Sequence, residues 1–164
     1  HAALPNQQHP WIVLRTLSKA WGLSGLRDGF GIASDAALVQ LLDRVRTPFN
    51  VNQAAQAAAL AAWGDEPFMA HAVRETVRYR DTLVAQPHAL GLPGMRIAPS
   101  AANFLFIDLG RPNGPVNEAL LARGIIAKPW KEAGFETFIR VSIGTPADNE
   151  RFLRALREIV EATP

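Results

Sequence analysis

Cysteine is absent from the 164 residues. That excludes disulfides and any metal site built on thiolates, and it accords with a reducing, cytoplasmic setting. No apolar run approaches the roughly 20 residues a bilayer-spanning helix needs, so no membrane partner is expected. The first residues, His1-Ala2-Ala3-Leu4-Pro5-Asn6, lack the charged start and apolar core of a signal peptide. They also lack an initiator methionine, and the chain is expected to be a piece of a longer protein. Lys and Arg number 17 against 15 Asp and Glu, a formal net charge of +2. With no dense basic patch, nucleic acid is not an expected partner. His1, His9, His71 and His88 show no metal-ligand spacing. Asp28, Asp81 and Asp108 form no pair suited to acid–base work. There is no internal repeat, and no low-complexity stretch beyond one alanine-rich segment.

What is present suits a packed fold: 48% of the residues are apolar. Trp11 to Thr16 reads as a short buried strand, and Leu26 to Ala33 as a second. Ser34-Asp35 can cap a helix carrying Leu38, Leu41, Leu42 and Val45 at helical spacing. Gln53 to Trp63 is alanine-rich and helix-forming. Glu66-Pro67 opens a long helix to about Ala85, with Pro favourable in its first turn. Thereafter Met95 to Ala98, Asn103 to Asp108, the stretch beginning at Gly124 and running to Lys128, and Phe138 to Ile143 read as strands. Pro115 to Arg123 reads as a short helix. A final helix opens at Thr145-Pro146 with Phe152, Leu153, Leu156, Ile159 and Val160 on one face. The expectation is an α/β chain in two parts, 1–66 and 67–164, the second a small α+β unit that includes the linking helix.

One block stands out chemically. Residues 16 to 31 read Thr16-Leu17-Ser18-Lys19-Ala20-Trp21-Gly22-Leu23-Ser24-Gly25-Leu26-Arg27-Asp28-Gly29-Phe30-Gly31. A lysine that forms a Schiff base must be held at one spot and be able to lose its proton. A phosphate-bearing cofactor needs hydroxyl donors, close backbone approach and a guanidinium. Ser18, Ser24 and Arg27 could supply the donors and Lys19 the amine. A Ser-Lys pair alone is more often a surface lysine in a glycine-rich loop. Further along, Arg140 lies mid-strand in an apolar run, followed by Ser142 and Gly144-Thr145-Pro146. Such an arginine must meet solvent, a carboxylate or an anionic ligand. By the residues alone a strand-face salt bridge remains open for Arg140, as does a solvated loop for Lys128.

The lysine block resembles that of the fold-type I pyridoxal-phosphate aminotransferases, class I/II. Within them it is most similar to the histidinol-phosphate branch, whose pattern runs Thr-Leu-Ser-Lys-Ala-aromatic-Gly-Leu-Ala/Ser-Gly-Leu-Arg-aliphatic-Gly-aromatic. The likeness runs from the strand before Lys19 to the last helix. It implies a fold: the C-terminal part of the large cofactor-binding domain, followed by the small C-terminal domain. It implies pyridoxal 5'-phosphate held covalently by Lys19, with Thr16, Ser18 and Arg27 at the phosphate. It implies transamination in amino-acid biosynthesis between an amino donor, histidinol phosphate, and a 2-oxo acid, in a homodimer. Arg140, in an Arg-x-Ser-x-Gly-Thr strand, would take the substrate's anionic group. Lys128 would assist, where many members have arginine. Asn50, in Pro48-Phe49-Asn50-Val51, would approach the partner subunit's cofactor. Asn103, in Ser-x-x-Asn-Phe, would bond loop backbone. Asp28 departs from the aliphatic residue usual after the arginine, and an acid there is expected to compete for the Arg27 guanidinium.

Complete members are more than twice this long. The part preceding the lysine supplies an aspartate for the pyridine nitrogen, an aromatic for the ring and a small-residue turn for the phosphate. None can be located here, and no Asp stands in the right context upstream of Lys19, so the chain alone is expected to be inactive. A threonine-phosphate-type decarboxylase of the same fold, and an aminotransferase-like sensing domain of a transcription regulator, are the alternatives.

Overall fold

The computed structural model describes residues 9–85 and 94–162. It divides into two compact units, His1–Val73 and Arg74–Pro164. The division falls inside one long helix.

In the first unit, β1 (Ile12–Thr16) pairs antiparallel with β2 (Gly29–Ala33), Thr16 opposite Gly29 and Ile12 opposite Ala33. A Cβ on Gly29 would lie 2.5 Å from the Arg15 carbonyl oxygen, so only glycine permits this approach. Then come α1 (Ala36–Val45) and α2 (Gln53–Trp63). Asp35 caps α1 by accepting from the Leu38 N–H at 2.9 Å. Asn52 does the same for α2 through the Ala55 N–H at 2.8 Å. The helix α3 (Glu66–Ala85) follows, with Asp65 accepting from the Phe68 N–H at 3.1 Å.

Two expectations change here. The apolar run of β1 is not buried: Leu14 is 75% exposed, and Leu17 and Ala55 are the buried apolar residues among those described in this unit. Among the described residues the ribbon is covered only in part, Trp63 meeting Phe30 of β2, so an apolar run alone did not decide burial. The second strand begins at Gly29 rather than Leu26, because Ser24–Leu26 forms a 3₁₀ turn and Arg27 turns left-handed at φ 58°.

The second unit is a four-stranded antiparallel sheet of order β3 (Arg96–Ile97), β4 (Phe104–Asp108), β6 (Phe138–Ser142), β5 (Lys128–Pro129). Two helices, α4 (Asn113–Ala122) and α5 (Pro146–Ala162), complete it with the latter part of α3. Alternation sorts the strands into two faces. Leu105, Ile107 and Ile139 point into a core shared with Leu83, Val116, Leu120, Phe152, Leu156, Ile159 and Val160. The apolar stripe read on the last helix is thus its buried face, with Leu153 partly buried at its edge. The opposite face carries Phe104, Phe106, Asp108, Phe138, Arg140 and Lys128. The helix expected from Pro115 begins at Asn113, whose N–H donates to the Glu136 carbonyl at 2.9 Å. The strand expected from Gly124 pairs only at Lys128–Pro129; Gly124 itself turns at φ 70°.

Candidate functional site

The loop between β1 and β2 carries the lysine. Its shape is set by backbone bonds: Leu17 N–H to the Asp28 carbonyl at 3.2 Å, Leu23 N–H to the Leu17 carbonyl at 3.0 Å, and Gly22 N–H to the Lys19 carbonyl at 3.0 Å. Gly22 sits at φ 73°, which a side chain would resist. Leu17 is buried and anchors the loop, while Lys19 next to it is exposed. Trp21 stacks on Trp63 of α2, centroids 5.6 Å apart, and Phe30 of β2 meets the same Trp63 edge-on at 5.5 Å. This aromatic clamp ties the lysine loop to the end of a helix more than 40 residues on.

Thr16 and Ser18 are joined side by side. The Thr16 hydroxyl donates to Ser18 Oγ at 2.8 Å and accepts from the Ser18 N–H at 3.1 Å. That leaves the Ser18 hydroxyl hydrogen to donate elsewhere. Arg27 occupies a left-handed conformation that arginine rarely adopts, a strain of about 1–3 kcal/mol that the surrounding turn must hold. Its Nη1 donates to the Ser24 carbonyl at 2.9 Å, which leaves most of its five donors for another acceptor. The expected competition from Asp28 does not occur in this arrangement: Asp28 Oδ1 accepts from the Gly29 N–H at 2.7 Å, and the guanidinium is turned back on its own loop. A hydroxyl, a guanidinium and an exposed amine on one loop form a donor set that fits a phosphate ester beside a carbonyl group.

Asp28 instead lines an open cavity of about 660 Å³ with Arg46, Phe49, Asn50, Val51 and Gln56. Asn50, on the link between α1 and α2, therefore shares a cavity with the last residue of the lysine loop. Its neighbour Phe49 is fully exposed and left-handed at φ 53°.

In the second unit Lys128 and Arg140 stand directly opposite one another across β5 and β6, on the face away from the core. Like charges so placed repel. Among the described residues neither has a carboxylate within ion-pair reach, whereas Arg46, Arg78, Arg80, Arg96 and Arg123 each do. What the two cations have is rings: Lys128 Nζ lies 4.8 Å from the Trp130 ring centre, and the Arg140 guanidinium 5.2 Å from that of Phe104. Among the described residues Arg140 makes no strand-face salt bridge. The pair can bind an anion.

Sequence reasoning missed the supports of this face. Ser100, not the Asn103 side chain, bonds the loop before β4: its hydroxyl donates to the Phe104 carbonyl at 2.7 Å and accepts from the Ala102 N–H at 3.1 Å. Asn103 contributes its backbone carbonyl to the Ile143 N–H. Buried Asp108 accepts from the Thr137 hydroxyl at 2.7 Å, the Gly110 N–H at 3.0 Å and Arg96 at 3.0 Å. Burial works to raise its pKa, but these bonds outweigh it and hold the carboxyl below its ordinary value. The histidines at 1 and 88 lie outside the described residues.

Comparison with known proteins gives the family of the chain. The family model "Aminotransferase class I and II" matches residues 3–156. A curated relative, histidinol-phosphate aminotransferase 3 of Rhizobium meliloti, is 50% identical over 149 residues, 91% of this chain and 40% of the relative. Histidinol-phosphate aminotransferase 1 of Mesorhizobium japonicum is 48% identical over 157 residues, 96% of this chain and 42% of the relative. The crystal structure of histidinol-phosphate aminotransferase from Sinorhizobium meliloti in complex with pyridoxal-5'-phosphate superposes with a TM-score of 0.83 at 27% identity, covering 93% of this chain and 42% of that one. The chain spans about two fifths of the length of the relatives it matches.

Proposed function

The chain belongs to the class I and II aminotransferases, and from that premise we propose that the protein containing it is a pyridoxal-phosphate-dependent aminotransferase of histidine biosynthesis. It exchanges an amino group between histidinol phosphate and the 2-oxoglutarate/glutamate pair. Relatives named for that activity at 48–50% identity support this. The observation that carries the substrate assignment is the facing pair Lys128 and Arg140, two cations without a carboxylate partner among the described residues.

Bound pyridoxal phosphate supplies the carbonyl carbon for the lysine and the electron sink for the substrate's α-carbon. Lys19 would hold the cofactor through its Nζ, and the same Nζ would move the proton of the substrate α-carbon. The Ser18 hydroxyl and the Arg27 guanidinium bind the cofactor phosphate. Thr16 orients Ser18 for that bond by accepting its N–H and donating to its oxygen. Arg140 grips the substrate anion with its planar fork, and Lys128 adds a point charge. On this proposal residues 1–66 belong to the cofactor-binding domain and 67–164 to the small domain. The protein acts in the cytoplasm as a homodimer in which Asn50 reaches the partner's site, and the 164-residue chain alone is inactive.

The test is product analysis on the intact protein. Incubation with histidinol phosphate, 2-oxoglutarate and pyridoxal phosphate yields glutamate in step with substrate loss. Carbon dioxide release without 2-oxoglutarate consumption would overturn the proposal in favour of a decarboxylase.

A further inference from the structure

Lysine is a poor substitute for arginine at an anion site. Its ammonium is a point charge on a flexible four-carbon stem, where arginine presents a rigid fork. Here it also faces Arg140 across the strand pair. Something must hold the ammonium in place without neutralising it. A carboxylate would cancel the charge that the site needs; an aromatic face holds the cation and leaves it able to meet an anion.

Trp130 has the placement for this. Lys128 Nζ lies over its ring at 4.8 Å. The ring is itself fixed, because Phe106 meets it edge-on at 5.2 Å and 73°. Its backbone is fixed twice more. Trp130 N–H donates to the Phe138 carbonyl at 2.9 Å. Buried Asn113 donates from Nδ2 to the Trp130 carbonyl at 2.8 Å and to the Phe138 carbonyl at 2.7 Å. Both amide hydrogens of Asn113 are thereby used to staple the end of β5 to the start of β6. Phe106 is also the residue opposite Arg140, so one ring braces Trp130 on one side and lies beside the arginine on the other.

We propose that Trp130, held by Phe106 and Asn113, is a positioning residue that parks the Lys128 ammonium so that Lys128 and Arg140 act jointly on one phosphate-bearing substrate. This rests on Lys128 and Arg140 forming the substrate-anion site. Trp130 does not touch the reacting atoms. Its effect therefore falls on binding and not on turnover.

The experiment is a double-mutant cycle in the intact holoenzyme with histidinol phosphate as probe. Trp130→Leu is expected to raise KM roughly two- to fivefold, the range of an exposed cation–ring contact, with kcat unchanged. Trp130→Phe, which keeps a ring, lies between. Lys128→Ala raises KM further, and Trp130→Leu adds nothing in the Lys128→Ala background. If Lys128→Ala raises KM but Trp130→Leu has no effect, or an equal effect with and without Lys128, the positioning role fails while the anion site stands. If Lys128→Ala and Arg140→Ala both leave KM unchanged, the anion site fails and takes the positioning role with it. A measurement on the unmutated protein guards against misfolded variants. In lysine-labelled holoenzyme the Lys128 ε-methylene protons should resonate upfield of the other lysines through the ring current of Trp130. Their absence from that position overturns the proposal.

Discussion

Arg27 adopts a backbone conformation that costs it energy, and its Nη1 donates to the Ser24 carbonyl of its own loop. On the proposed function, a strained arginine backbone on the same loop as an exposed lysine marks the cofactor site. Arg27→Ala is expected to weaken pyridoxal-phosphate affinity of the intact protein about ten- to hundredfold, the worth of one or two hydrogen bonds to a charged group. Absorbance titration measures it. Asp28→Leu is the informative contrast. The carboxylate bonds the Gly29 N–H and does not engage Arg27, so affinity should stay within about twofold of the unaltered protein. At the substrate end, Arg140→Lys keeps the charge and loses the fork. KM for histidinol phosphate should rise about tenfold with kcat little changed.

At the scale of elements, the second unit depends on the lock around Asp108 at the end of β4. Thr137 and Gly110 donate to it from within the fold, while the Arg96 side chain is 82% exposed and its pairing is screened by water. Asp108→Asn should therefore destabilise this unit by about 1–3 kcal/mol in urea unfolding, and Arg96→Ala by under about 1 kcal/mol. The sign of the pH dependence follows. The folded-state pKa of Asp108 lies below its ordinary value of 3.8. Its contribution is therefore complete above about pH 4 and is lost as pH falls through the lower, folded-state value. Acid unfolding below pH 4 should be blunted in Asp108→Asn relative to the unaltered chain. Local features of such elements were legible in the sequence. The stripe from Phe152 to Val160 and the Asp35 cap depend only on spacing along one helix, and both are as read. Trp63, Asn113 and Ser100 were not legible in their roles. Each acts across tens of residues or through a loop whose path the sequence does not state. The burial of β1 was misread for the same reason, since a strand's burial depends on the layers beside it.

At the scale of the whole molecule the two units differ in kind. The second has a closed core in which Leu120, Ile139 and Leu156 are fully buried, and the first leaves Leu14, Val45, Phe49 and Leu60 three-quarters or more exposed. Hydrogen exchange on the 164-residue chain should find slow amides in β4, β6 and α5 and fast ones in β1 and β2. Ile139→Ala should unfold the second unit by about 2–5 kcal/mol. The lysine motif and the Arg140 strand were legible as a family resemblance because each is contiguous, and the family match bears that out. The facing of Lys128 and Arg140 was not, since it is a matter of strand register. The most direct test is chemical. The intact protein is loaded with pyridoxal phosphate, reduced with borohydride, digested and mapped. The pyridoxyl group should be found on Lys19, and Lys19→Ala should abolish it. The same adduct persisting in Lys19→Ala, or mapping to another lysine, would contradict the account.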